Sequence, residues 1–381
     1  MPPTPPPRSV RPAGLVERAA PFAGLVVVLL GLAGGGCRQN PQDAPDAAVT
    51  RFGGETMGTT YSVIAPGLGD GGAVKAAVDS LLVAINAEVS TYEPQALISR
   101  FNRGDTVALP RVLAKAATGA LQDTPGAHLA GNLALAREPI ARSAGFFDPT
   151  VGPLVEYYGF GAGALDTSAV DEAEVERLRG LVGFERVGVD TLPDGTLRLY
   201  PRQPGVRLDL SALAKGYGVD QVGLLLAERF GASDYFVEIG GEARARGISP
   251  RGGPWTVGVN TPDPEASLRD MALIVGVADA SIATSGNYRN VRTRGGRALV
   301  HTIDPHTGRP RASTLLSATV VAEDCATADA YATACMASGE DAPTVLAKAQ
   351  LPACLIFGRA DGEYELRFLN GFDALVLETA Q

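Results

Sequence analysis

The chain has 381 residues, 45% of them hydrophobic, and four cysteines, which is enough apolar material for one large core or two ordinary ones without disulfide staples. Its formal net charge of -9, with no basic run beyond the N-terminus, excludes a nucleic-acid surface, which needs a concentrated Lys/Arg footprint.

The first residues carry Arg8, Arg11 and Arg18, then an apolar run over 22–33, then Gly34, Gly35 and Gly36 before Cys37. This is the layout of a secretory signal peptide, and the run falls short of the about 20 apolar residues that a spanning helix needs. Residues 1–37 are therefore read as a signal peptide ending in a lipobox cysteine. Gly34 stands where such boxes usually carry an aliphatic residue, so simple cleavage and an uncleaved anchor stay open as alternatives. Lipidation at Cys37 implies the periplasmic face of the bacterial inner membrane and leaves Cys325, Cys335 and Cys354, an odd set that allows one disulfide pair but is best read as buried free thiols. Residues 38–50, rich in Pro, Asp and Ala, read as a flexible tether, and 51–381 as the folded domain.

A strand is expected at 59–65 and a helix at 72–89, where Val74, Val78, Leu81, Leu82 and Ile85 recur at helical spacing. A polar loop covers 90–104. Alanine-rich stretches between 111 and 143 favour helix but are broken by Thr124, Pro125 and Gly126. Then come a helix at 171–181, strands at 186–189 and 196–200, and a helix at 212–230. Short stretches at 235–239, 243–247, 255–259 and 273–278, separated by Gly or Pro, predict an antiparallel sheet. A strand at 317–322, a helix at 327–337 and two strands around Asp361 and Gly362 complete the order. Strands and helices are mixed rather than strictly alternating, so the fold class is α+β.

Several segments can carry chemistry. Asp329 and Thr333 are four residues apart, which on a helix places both oxygen side chains on one face. Carboxylate, hydroxyl and carbonyl oxygens suit magnesium, although the same spacing serves solvated or capping residues on surface helices. In RLDLSALAKGYGVDQ, Asp209 ends an apolar strand and Lys215 with Gly216 opens a helix, a turn type that approaches phosphates. Capping and snorkelling are the plainer roles for this pair. Thr284, Ser285 and Gly286 read as a tight turn after a strand, able to offer hydroxyls and amides to a phosphate. HTIDPHTGRP holds His301 and His306 around an Asp-Pro turn, where a histidine can act as a base. No HExxH or Cys/His cluster supports zinc. Phe146, Phe147, Tyr157, Tyr158 and Phe160 flank Asp148 and offer aromatic walls on which planar rings stack, or a core cluster.

The strings MGTTYSV, STYEPQALISRFNRG, FDPTVGPLVEYYGFG, LDLSALAKGYGVD, VEIGGEARARG, IATSGNY, HTIDPHTGRP and ADAYATA, in that order, resemble the FAD:protein FMN transferase family, the ApbE-type flavin transferases. The resemblance spans nearly everything from Met57 to Gly339. It implies an ApbE-like fold of mixed, largely antiparallel sheets flanked by helices, with FAD as substrate and Mg2+ at its diphosphate. By resemblance the metal ligands fall on Asp329, Thr333 and the carbonyls of Ala212 and Ala332. Flavin-contacting positions fall on Met57, Tyr92, Phe146, Phe147, Asp148, Asp209, Lys215 and Ile303, and His301 is the candidate proton-handling residue. Tyr158 departs from the family's usual Trp, and Asn287 from a common acidic residue.

The activity so implied is transfer of FMN from FAD to a Thr or Ser of an acceptor flavoprotein, with release of AMP. Magnesium and Lys215 are expected to neutralise diphosphate charge while a base near His301 assists the acceptor hydroxyl. Hydrolysis of FAD to FMN and AMP is the enzymatic alternative, and a non-catalytic flavin-binding lipoprotein the alternative from another class.

Overall fold

The structure is a computed structural model describing residues 49–163, 166, 168–267, 269–288 and 291–379. The apolar run and Cys37 lie outside the described residues. In chain order, β1 (Val49–Thr56) and β2 (Thr59–Pro66) lead to α1 (Gly71–Val89), α2 (Leu97–Asn102), β3 (Val107–Leu109), α3 (Ala114–Gly119), α4 (Ala127–Arg142) and α5 (Gly152–Tyr157). Next are α6 (Glu172–Arg179), β4 (Val187–Thr191), β5 (Leu197–Pro201), α7 (Ala214–Phe230), β6 (Tyr235–Ile239), β7 (Glu242–Arg246), β8 (Trp255–Asn260) and β9 (Met271–Val277). The chain continues through β10 (Ala280–Gly286), β11 (Val291–Arg294), β12 (Arg297–Val300), β13 (Ile303–Asp304), β14 (Arg309–Pro310) and β15 (Leu315–Ala322). It closes with α8 (Cys325–Ser338), α9 (Ala342–Ala349), β16 (Ala353–Gly358), β17 (Tyr364–Leu369) and β18 (Val376–Thr379).

The centre is an eight-stranded sheet in the order β1-β2-β6-β7-β10-β15-β16-β17, with every neighbouring pair antiparallel. Side chains alternate across its two faces. Tyr61, Val63, Val237, Ala318 and Val320 enter the core shared with α1, α4, α7, α8 and α9. Ile64, Phe236, Ala243, Ala245 and Ile356 face the opposite way, against Trp255, Val257 and Val275 of the three-stranded sheet β18-β9-β8. Because β6 is covered on both faces, it reads as an unbroken apolar stretch apart from Glu238. The α+β reading holds. The stretches at 255–259 and 273–278, however, belong to the smaller sheet rather than continuing the central one.

Other differences have local causes. The loop at 90–104 contains α2, a six-residue helix too short to show a period. β1 begins at Val49, two residues inside the segment assigned to the tether, and pairs with β2 along its whole length. Thr284, Ser285 and Gly286 form no turn: they are the end of β10, laddered to Thr319, Ala318 and Ser317 of β15, so pairing overrides a turn-like composition. The stretch ending at Asp209 is extended but joins no sheet. Its backbone is held by the Asn102 amide, which donates to Leu208 O at 2.9 Å and accepts from Leu208 N at 2.7 Å, while Asp209 N donates to Pro149 O at 2.7 Å. The three cysteines of the body are buried free thiols. Among the described residues no helix is long and apolar enough to cross a membrane.

One buried histidine gives the core a pH dependence. His128 on α4 lies with Nδ1 3.0 Å from the Tyr217 hydroxyl of α7, and burial pushes its pKa down to about 4. An unfolded histidine takes up its proton near pH 6.5. Its neutral form therefore stabilises the fold fully above pH 6.5, and that contribution is lost as the pH falls towards 4, on the order of 3 kcal/mol in all. Urea midpoints of the wild type and His128→Gln should converge between pH 7.5 and 4.5. Parallel curves would contradict this assignment.

Candidate active site

The site is organised by one unusually close approach. A Cβ on Gly216, in the first turn of α7, would lie 2.3 Å from the carbonyl oxygen of Cys325 and 2.8 Å from Ala326 Cα at the start of α8. Only glycine lets these backbones meet. The contact brings the amide of Gly216 to 3.2 Å from Oδ2 of Asp329 and the Lys215 ammonium to 3.7 Å from its Oδ1. Lys215 also donates to Oε1 of Glu242 on β7 at 2.6 Å. Asp329 and Glu242 are buried, while the Lys215 side chain keeps 25% of its surface exposed.

Charge at this point is unbalanced. Burial would drive Lys215 towards neutrality, but the adjacent Asp329 and Glu242 carboxylates outweigh it and hold the ammonium protonated. One ammonium can neutralise only one of the two acids. Burial accordingly lifts Asp329 above the ordinary carboxylate range and Glu242 to about 8, and lifts nearby Glu238 to about 7. Oε2 of Glu242 is buried without a hydrogen-bond partner. A surplus of buried, hard oxygen donors fits a small divalent cation. Among the described residues no three His, Cys, Asp or Glu side chains gather as a metal cluster. A cation here would therefore draw on Asp329, the Thr333 hydroxyl one turn along α8, and backbone carbonyls. Ala332 lies on α8 between those two donors, and Ala212 in the turn entering α7.

The remaining residues approach from two directions. Thr333 Oγ1 lies 3.3 Å from Ser285 Oγ at the end of β10. Two residues further, Asn287 Oδ1 accepts from the Thr302 hydroxyl at 2.9 Å, which fixes the segment holding His301 and Ile303 relative to α8. On the other side, Asp209 Oδ1 accepts from the Ser211 amide at 2.8 Å and the Ser211 hydroxyl at 2.6 Å. Asp148 Oδ1 accepts from the amide and hydroxyl of Thr150 at 2.8 and 2.6 Å. The Pro149–Asp209 backbone bond ties these two acidic turns together.

The aromatic positions divide into walls and core. Tyr92, 60% exposed, donates to Phe160 O at 3.3 Å, and burial of its hydroxyl end together with the Asp209 charge raises its pKa. Phe160 in turn meets the His301 ring edge-on at 6.3 Å and lies under the Arg292 guanidinium at 5.5 Å. Tyr92, Arg292 and His301 thus gather around Phe160, with the Asp209 charge felt at Tyr92. Ile303 and Tyr158 are buried with Phe160 in a small satellite core. Phe146 meets the His306 ring edge-on at 4.6 Å, whereas Phe147 is buried in the main core and supports the wall from behind. Met57 occupies the β1–β2 turn with φ 49°, followed by Gly58 at φ 72°. These positive angles suit the tight hairpin, and the methionine Cε is placed where it would meet a Cβ on Gly218 of α7 at 3.0 Å.

Lys215 and Asp329 are therefore in one charge cluster, Thr333 is a turn away from it, and Asp209, Tyr92 and His301 share a second patch. Glu242, Glu238 and Asp220 escaped the reading of the sequence. A hint existed for Asp220, a carboxylate inside the otherwise apolar face of α7. The partner that makes Glu242 matter lies 27 residues away and has no local signature.

The ApbE family model matches residues 57–356. The chain is 35% identical over 318 residues to the FAD:protein FMN transferase of Vibrio cholerae serotype O1, covering 81% of this chain and 87% of that one. It is 31% identical over 360 residues to that of Haemophilus influenzae, covering 93% and 97% respectively. Among solved structures, the flavin transferase ApbE from Vibrio cholerae superposes with a TM-score of 0.71 at 31% identity, over 86% of this chain and 99% of that one.

Proposed function

The chain belongs to the ApbE family, and from that premise we propose that it carries FMN from FAD to a threonine or serine hydroxyl of an acceptor protein, releasing AMP in a Mg2+-dependent reaction. The observation that carries the reading is the pairing of Lys215 with buried Asp329 and Glu242 at the α7–α8 contact. A fixed cation beside donors for a divalent ion suits the charge of a diphosphate. Asp329, Thr333 and the carbonyls of Ala212 and Ala332 would hold Mg2+. When bound, that ion supplies Lewis-acid neutralisation of the diphosphate oxygens.

The chain's own residues do the rest. Lys215, held protonated, places its ammonium against the diphosphate. Tyr92, Phe146 and Met57 bound the flavin ring, with Phe147 and Ile303 packed behind, and Asp148 and Asp209 fix the turns that frame the cleft. The acceptor hydroxyl oxygen bonds to the FMN-side phosphorus as the bond from that phosphorus to the bridging oxygen breaks. AMP leaves with the bridging oxygen, and the hydroxyl proton passes to His301. We further assign residues 1–37 to export, with Cys37 as lipid anchor on the periplasmic face of the inner membrane.

Incubation with FAD and Mg2+, with and without an acceptor domain, tests the reading. AMP should appear in step with flavin bound to the acceptor. FMN and AMP released at the same rate without acceptor would instead identify a hydrolase, and FAD recovered intact after long incubation a flavin-binding protein.

A further inference from the structure

Asp220 lies on α7 one turn beyond Gly216, on the same face, and is completely buried. Its two oxygens are used separately. Oδ1 accepts from the Cys325 amide at 2.9 Å and Oδ2 from the Ala326 amide at 3.0 Å, the first two residues of α8. Arg244 on β7 donates to Oδ1 at 2.6 Å. Two residues back along that strand, Glu242 receives Lys215, so α7 and β7 are joined by two bridges of opposite polarity on neighbouring turns.

A helix start does not need such an arrangement. Side chains such as Ser or Asp at the cap satisfy the first amides at little cost, and α8 already has one: Asp324 accepts from Thr327 N at 2.8 Å. A second, buried carboxylate reaching in from another helix is costly to desolvate and is held by a half-buried arginine. What it adds is registry. Gly216 touches Asp329, and Asp220 touches Cys325 and Ala326, so α7 grips α8 at two points one turn apart. Together these fix how far α8 advances and how it is rotated about its axis.

We propose that Asp220 is a positioning residue for the cation site, setting the depth at which α8 presents Asp329 and Thr333 beside Lys215. The inference rests on the divalent-cation reading above. Residues that orient metal ligands from behind typically alter affinity by about 10- to 100-fold when replaced. Asparagine is close in shape but offers one acceptor where two amides converge, and its NH2 opposes the second.

The test is manganese binding by the full chain in the absence of flavin, read from loss of the free-ion electron paramagnetic resonance signal. Asp220→Asn should weaken Mn2+ about 10-fold while its circular dichroism stays native. Asp324→Ala, which removes the cap of the same helix end without touching the grip on α7, should lower the melting temperature and leave Mn2+ affinity unchanged. If Asp220→Asn does not fold, Arg244→Gln keeps the carboxylate but removes its counter-ion; it should weaken Mn2+ by less than the about 10-fold expected of Asp220→Asn, and wild-type affinity in it would overturn the positioning role. Folded Asp220→Asn with wild-type affinity, or equal losses in Asp220→Asn and Asp324→Ala, would overturn the positioning role alone. A wild-type chain that binds no Mn2+ would overturn the cation reading and this inference with it.

Discussion

Asp329→Ala is expected to lower flavin transfer by about 10³-fold, the scale at which a charge-stabilising group in a water-poor site is lost, while leaving the fold intact. The expected chemical cost is large because Asp329 is a proposed donor to the divalent ion and contributes to the field that keeps Lys215 charged. The structural cost is small for a physical reason. Asp329 is a buried carboxylate whose pKa burial has already raised, and its removal leaves Lys215 paired with Glu242. The truncation thus abandons no buried cation, although Lys215 loses one of its two acids, and only the Gly216 amide is left without its acceptor, worth about 1 to 3 kcal/mol. Fluorescence of the flavin on an acceptor band, set beside a thermal melt, separates the two effects. Wild-type labelling by a folded Asp329→Ala protein would remove the cation site from the account.

Gly216→Ala should be strongly disruptive for so small a change. Alanine is the better helix former by about 1 kcal/mol, so on propensity alone it would stabilise α7. Sterics decide otherwise. The new Cβ meets the Cys325 carbonyl oxygen at 2.3 Å, its carbon at 2.6 Å and Ala326 Cα at 2.8 Å, all backbone atoms of a helix packed on both β10 and β15. Two helices must separate, at a net cost of about 3 kcal/mol, and transfer activity should fall as Asp329 moves away from Lys215. Gly218→Ala is the matched control. Its Cβ meets the mobile end of Met57 at 3.0 Å and Ile239 Cδ1 at 3.2 Å, so it should cost about 1 kcal/mol or less and raise KM for FAD through the displaced methionine. Equal urea midpoints for the two variants would show that the α7–α8 approach is not tight.

The two substitutions also mark how far the sequence could be read. Helix α1 announces itself by its period, and the strands β2, β6 and β16 as short, largely apolar runs. The Asp329/Thr333 spacing and the Lys215-Gly216 helix start are local facts, and they survive folding as local facts. What no window of sequence contains is the meeting of α7 with α8, more than 100 residues apart, which turns a glycine into the hinge point of the site. Glu242 falls just before the strand read at 243–247, and Asp220 inside the helix read at 212–230; both acquire their partners only through the strand order of the central sheet. The same holds for β10, whose Thr-Ser-Gly ending imitates a turn until β15 pairs with it.

The account stands on a cleft that joins FMN to another protein. Mass spectrometry of a candidate acceptor, co-expressed with this chain and digested to peptides, tests that directly. The account predicts FMN attached to a single threonine or serine, present with the wild type and absent with Asp329→Ala. An acceptor unmodified in both, while FAD in the same extract is cleaved, would contradict it.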